Sequence, residues 1–287
     1  YIAARVHEVY STYYDISYPA QERSSARKLR LSPLYNRLEE LGAVFGEKAG
    51  WERPNWFAPN EQLAEGQEWP VPYGWASRYW PLAVGAEHQA TRERVALFDE
   101  TSFSKIEVIG RGAFAFLQRI TDNQMDQPVG AITYTQMLNK HGGIECDLTV
   151  TRLATDRFQI ITGTAFGNHD LAWIRSQMPI DGSVYINDIT SSRCCIGVWG
   201  PQARNLMQRV SENDFSNEAF PYLTAQQVTI GEIPVLALRV TYVGEPGWEL
   251  YTPTEYGLKL WDTLWEAGQS LGVVAAGYRA IESLRLE

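Results

Sequence analysis

ITYTQMLNKHGGIECDLTVTRL, residues 132–153, reads as two strands joined by a tight turn. Ile132–Leu138 and Ile144–Leu153 carry the β-branched and aromatic residues that suit a pleated surface, and His141-Gly142-Gly143 supplies the turn. Outward from this hairpin, Lys105–Ile109 and Phe158–Thr162 read as strands, and Gly112–Ile120 and Ala165–Met178 as helices. Further strands are expected at 184–189, 195–199, 225–230, 235–241 and 248–252. Further helices are expected at 87–97, 201–210, 255–271 and from Ala275 onward. Short strands alternating with helices, in the manner of the split βαβ unit, favour antiparallel sheets with helices on one face. The expected fold class is α+β.

Before this region the pattern is different. Residues 1–75 are dense in aromatics, Pro and charge, with one amphipathic stretch in which Leu34, Leu38 and Leu41 recur at helical spacing behind Pro33. Residues 42–57 are too irregular for one element and too aromatic for a free linker. The polar run 59–72 holds the turn-forming residues of a connector, so two units are expected, 1–75 and 76–287. The chain opens on Tyr1 and stops at Glu287 inside a helical pattern, so it is expected to be a fragment.

Composition narrows the partners. The chain has 287 residues, 45% hydrophobic and 12% aromatic, which is ordinary for a globular protein. A net charge of -9 without a basic run excludes a nucleic-acid or anionic-membrane partner, because phosphate backbones need a clustered basic surface. No apolar run approaches the length that spans a bilayer. Cys146, Cys194 and Cys195 cannot build a disulfide framework, which favours a reducing compartment such as the bacterial cytoplasm or the mitochondrial matrix. His7, His88, His141 and His169 are scattered without metal-site spacing, so no metal is expected.

Gly110-Arg111-Gly112 lacks the third glycine of a dinucleotide fingerprint, and no nucleophile elbow occurs. Two turns combine carboxylates with aromatics. Asp147, flanked by Ile144, Leu148 and Val150, is poorly suited to a strand interior and is either paired or functional. Residues 242–251, YVGEPGWELY, are either a plain hairpin loop or part of a site.

Five segments, LFDETSF (97–103), YTQMLNKHGGIECDLTV (134–150), WGPQARNLM (199–207), RVTYVGEPGWELYTP (239–253) and GYRAIESLRLE (277–287), resemble the folate-binding family of the glycine cleavage T-protein. The segments at 14–19, 26–38 and 42–57 are similar to the part that joins the FAD-dependent half to the folate half in dimethylglycine and sarcosine dehydrogenases. The resemblance implies T-protein-like lobes around a central folate site, with the C-terminal β-barrel lobe beyond the present chain. It implies that Asp147 is catalytic near folate N10 and that Tyr134, Tyr242, Glu249 and Phe103 bind tetrahydrofolate, with Glu249 pairing with the pterin. Phe103 stands where the T-protein pattern has Met. Ile281 stands where that pattern has a folate-contacting Arg, and Arg279 is not an assured substitute.

By the same resemblance, an upstream FAD domain, covalently continuous with this chain, oxidises dimethylglycine or sarcosine to an iminium. The one-carbon unit then passes to tetrahydrofolate. Other family transferases, a non-catalytic phosphatase regulatory subunit and a plain folate-binding module are the alternatives. Because the chain has no phosphate-binding glycine fingerprint, the purified chain is expected to be colourless after dialysis. A stoichiometric flavin absorbance would overturn this reading.

Overall fold

A computed structural model describes residues 1–74 and 76–287. The chain begins with α1 (Ile2–Ser11), α2 (Tyr35–Glu40) and a hairpin of β1 (Ala43–Lys48) and β2 (Trp51–Phe57). It continues through α3 (Ala76–Tyr79), α4 (Leu82–Glu93), β3 (Val95–Asp99), β4 (Ser104–Ile109), α5 (Ala113–Ile120), β5 (Ile132–Leu138), β6 (Ile144–Ala154) and β7 (Arg157–Thr162). The rest comprises α6 (Gly167–Ser176), β8 (Tyr185–Asp188), β9 (Arg193–Trp199), α7 (Ala203–Val210), β10 (Ala225–Ile230), β11 (Ile233–Leu238), β12 (Gly247–Pro253), α8 (Gly257–Gly268), β13 (Val273–Ala276) and α9 (Tyr278–Leu284).

The strands form a six-stranded sheet ordered β10-β11-β12-β9-β3-β13 and a five-stranded sheet ordered β5-β6-β7-β4-β8, beside the β1-β2 hairpin. Pairing is antiparallel except for β13 on β3. The α+β class is as the alternation predicts. Strand periodicity then fixes which residues face which layer. In the five-stranded sheet, Cys146, Leu148, Val150, Phe158 and Ile160 are buried in a core with Phe116 and Leu117 of α5. In α5, Ala113, Phe116, Leu117 and Ile120 follow helical spacing, which is why that helix lies on this face. In the six-stranded sheet, Ile196, Val198 and Leu250 pack with Leu206 of α7 and Leu260, Trp261 and Leu264 of α8. The remaining faces of the two sheets meet through a small cluster of Ile132, Ile161, Cys195, Leu238 and Tyr251.

Three elements differ from the sequence reading. The helix expected at 87–97 ends at Glu93, and Val95–Asp99 is a fully buried strand. A strand covered on both faces has no polar alternation, so its apolar run looks like the continuation of a helix. The helix expected from Ala275 begins at Tyr278, because Val273–Ala276 is the parallel edge strand beside β3. Residues 42–57, read as irregular, are a hairpin whose Pro54 lies opposite Phe45 just after a register shift, where a missing N–H is tolerated. The expected boundary at Trp75 lies outside the described residues. Leu34, Leu38 and Phe57 share a core with Ile196 and Trp261.

Glu87 of α4 fastens the hairpin to the end of the chain. Fully buried, it accepts hydrogen bonds from the backbone N–H of Phe57 (2.6 Å), Asn60 Nδ2 (2.9 Å) and the backbone N–H of Gly277 (2.8 Å). Gly277 is required there because a Cβ would collide with the Asn55 carbonyl. Burial outweighs these three donors and pushes the Glu87 carboxyl from about 4.5 up to about 8. The folded value therefore lies above the unfolded one. The stability this group contributes is full below about 4.5 and is lost as pH rises through about 8. Glu87→Gln should cost about 1–3 kcal/mol near pH ~5, since its amide donor faces another donor. It should also flatten the fall in Tm toward pH ~8, as followed by circular dichroism. An unchanged pH slope would show that Glu87 is not the titrating group.

Candidate functional site

The strand register places Asp147 on the side away from the α5 core. Gln136 lies opposite Asp147, Tyr134 opposite Thr149, Thr149 opposite Ile161 and Ile161 opposite Lys105. All of these share the face turned toward the six-stranded sheet. The apolar neighbours that made Asp147 conspicuous, Leu148 and Val150, do not surround it evenly. Leu148 points the other way into the α5 core, as does Val150, while Asp147 itself is exposed.

Asp147 accepts a hydrogen bond from Gln136 Nε2 at 3.0 Å. Its carboxylate, hydrogen-bonded beside Tyr134, holds the Tyr134 hydroxyl above its ordinary value, with Tyr242 also nearby. Tyr134 and Tyr242 are 56% and 55% exposed, so both rings are open to a ligand. Arg285 adjoins Tyr242, and its guanidinium is held up chiefly by Glu282, which it meets at 2.9 Å, with Tyr242 contributing. Ile281, in place of the family arginine, is 3% exposed in an apolar cluster. Arg279 donates to the Ala20 carbonyl at 3.0 Å and lies over the Trp56 ring, so it is committed elsewhere. Arg285 is the cation beside this group of residues.

Glu249 belongs to a second group. In the six-stranded sheet it lies across from Gly197, which lies across from Phe98. Glu249 is partly buried and accepts a 2.6 Å hydrogen bond from the Tyr251 hydroxyl. Beside it, Glu100 is 1% exposed, and its Oε2 has no partner among the described residues. Gly197 makes room for it, since a Cβ there would stand 2.7 Å from that oxygen. Burial raises Glu100 well above the carboxylate range, with Glu249 and Asp99 adding repulsion. Burial raises Glu249 as well. The compensating cation is Lys105, fully buried, which donates to the carbonyls of Thr101 (2.8 Å), Phe103 (2.8 Å) and Thr190 (3.4 Å). Phe103 is half-buried, edge-on to Tyr278 with ring centres 6.4 Å apart.

Among the residues singled out from sequence, Tyr134, Asp147 and Tyr242 thus gather at the lip, while Glu249 and Phe103 lie with the buried charges. Sequence reasoning missed Glu100, Lys105, Tyr251 and Arg285. The adjacent acids Asp99-Glu100 in an apolar run were the available signal for the first. Cys146, His169 and Asp170 also meet, with ligand atoms within 4.8 Å of one another. There the Asp170 carboxylate already accepts from Thr162 Oγ1 at 2.5 Å and lies 3.0 Å from His169 Nδ1, which makes this a satisfied hydrogen-bond network.

Residues 34–287 match the model of the GCVT N-terminal domain. The chain belongs to the GCVT family. Residues 1–32 of this GCVT chain match the FAD dependent oxidoreductase central domain. It is 38% identical to the 4-methylaminobutanoate oxidase (formaldehyde-forming) of Paenarthrobacter nicotinovorans, over all of this chain and 34% of the relative. It is 34% identical to the mitochondrial dimethylglycine dehydrogenase of Homo sapiens, over all of this chain and 33% of the relative. The mitochondrial pyruvate dehydrogenase phosphatase regulatory subunit of Mus musculus is also 34% identical, with 33% of it covered. The chain therefore spans about a third of the length of these curated relatives. The crystal structure of glycine cleavage system aminomethyltransferase T from Bartonella henselae superposes with a TM-score of 0.71 at 27% identity, covering 90% of this chain and 62% of that one. No helix among the described residues is long and apolar enough to cross a membrane.

The contact between Tyr134 and Asp147 can be read directly in this GCVT chain. Replacing Asp147 with Asn should bring the Tyr134 hydroxyl down toward its ordinary value, visible as an earlier phenolate absorbance in an alkaline titration of wild type, D147N and Y134F. A titration curve indifferent to D147N would show that the two groups do not interact.

Proposed function

We propose that this chain is the folate-binding part of an FAD-linked enzyme that moves one carbon from an oxidised N-methyl amine, such as dimethylglycine or sarcosine, to tetrahydrofolate, forming 5,10-methylenetetrahydrofolate. The reading rests most on one observation. A buried acid, Glu100, with an unpartnered Oε2, stands beside Glu249, and Asp147, Tyr134 and Tyr242 gather at an open lip. Buried acids suit a pterin, whose amino and ring N–H groups are donors in search of acceptors, and the exposed tyrosine rings suit its flat faces. The FAD match at 1–32 supports the flavin-linked branch over a free transferase, with FAD held upstream in the whole protein.

Glu249 would accept from the pterin, and its Tyr251 hydrogen bond fixes the carboxylate's orientation. Phe103 and the two tyrosines would pack on the ring system. Tetrahydrofolate supplies the two nitrogens that take up the one-carbon unit. Asp147, exposed and oriented by Gln136, would hold or move the proton near the receiving nitrogen and stabilise the positive charge of the incoming iminium. Arg285, ion-paired to Glu282 at the lip, would meet the anionic end of a substrate.

In the full-length protein, Asp147→Asn should keep the fold and abolish methylenetetrahydrofolate formation while leaving amine-dependent flavin reduction intact. Unchanged methylenetetrahydrofolate yield would sink the role. Glu249→Gln sets a donor against a donor and should cost about 1–3 kcal/mol, roughly tenfold in tetrahydrofolate affinity by calorimetry. Because burial raises Glu249, the wild type should bind more tightly as pH rises and the carboxyl ionises, a trend absent from Glu249→Gln. Equal affinity in wild type and Glu249→Gln would remove Glu249 from the pterin site.

A further inference from the structure

A second opening to the space between the sheets lies beyond Tyr251, whose hydroxyl points to Glu249 and whose ring lines a cavity of about 360 Å³. Two arginines, Arg157 of β7 and Arg193 of β9, line this cavity; Arg152 of β6 also borders it, but its guanidinium lies over the Phe114 and Phe158 rings on the α5 side. That is a local concentration of positive charge in a chain of net charge -9. Arg157 has an acidic neighbour, Glu107 at 2.7 Å. Arg193 has no hydrogen-bond or ion-pair partner among the described residues.

The cavity wall also holds a donor with nothing to donate to. Gln159, 3% exposed, has its Nε2 buried without a partner. An unmade hydrogen bond of a buried donor costs stability, so a native structure that keeps one is short of an acceptor there. Arginine forks and an amide donor match the several lone pairs of an oxyanion, which bidentate pairing recognises well.

We propose that this cavity binds a small oxyanion, a carboxylate or phosphate group, at a site separated from Glu249 by the Tyr251 side chain. The inference does not depend on the folate reading, because its residues lie on the far side of Tyr251.

The test is thermal unfolding and calorimetry of the full-length protein in sodium phosphate or sodium glutarate against sodium chloride at matched ionic strength, which removes general screening. Phosphate or glutarate should raise the unfolding temperature where chloride does not. Arg193→Gln, which breaks no existing pair, should weaken phosphate binding by about tenfold or more. Gln159→Leu should keep the fold and also weaken it, whereas Glu249→Gln should leave it unchanged. p-Aminobenzoylglutamate distinguishes the sources of the anion. Competition with phosphate would assign the glutamyl end of a folate to the cavity, and phosphate binding without competition would assign a free anion. No difference between phosphate, glutarate and chloride, or an undiminished phosphate response in Arg193→Gln, would overturn the proposal.

Discussion

The ammonium group of Lys105 is the point on which the inner architecture turns. Lys105 is the second residue of β4, just after the chain has left the six-stranded sheet for the five-stranded one, and it is fully buried. A charge without water must be surrounded by acceptors, and the carbonyls of Thr101, Phe103 and Thr190 provide them. Those carbonyls belong to the crossover between the sheets and to the turn after β8. One cation therefore ties the crossover between the sheets to the turn after β8, and its charge tempers Asp99, Glu100 and Glu249.

This arrangement gives the space between the sheets a polarity from end to end. Near Gly197 the walls are acidic and short of donors, while beyond Tyr251 they are basic and short of acceptors. Tyr251 stands between, 1% exposed, giving its proton to the acidic side. The apolar contacts of Ile132, Ile161, Cys195 and Leu238 hold the sheets together without filling the ends. Interiors that keep unmatched polar groups do so against a cost in stability, and such groups are commonest where a ligand supplies the missing partner.

Much of this was legible in the chain itself. The 132–153 hairpin, the α5 helix and the antiparallel character of the sheets follow from periodicity, because one face of each element is dry and the other is not. Val95–Leu97 and Ala275–Ala276 were read into the neighbouring helices because strands 95–99 and 273–276 are buried and carry no polar alternation. At the lip, Asp147, Tyr134 and Tyr242 stood out as a carboxylate and aromatics at turns. Glu100 and Lys105 did not, because only the pairing of β3, β9 and β12 reveals that Glu100 overhangs Gly197 and faces Glu249. A buried charge is recognised by its neighbours in space, and Gly197 and Glu249 are far from Glu100 in sequence.

The clasp at Glu87 has a consequence for how the chain reaches this structure. It joins Phe57 and Asn60 to Gly277, and the Asn55 carbonyl packs against Gly277 where no side chain fits. Contacts between such distant segments form late, since a long loop must close before they return any stabilisation. During synthesis the β1–β2 hairpin emerges well before its partner and keeps part of its apolar surface exposed until α9 has left the ribosome. The hairpin is thus open to proteases and chaperones in the interval between those two events, and slower translation across α9 would lengthen that exposure.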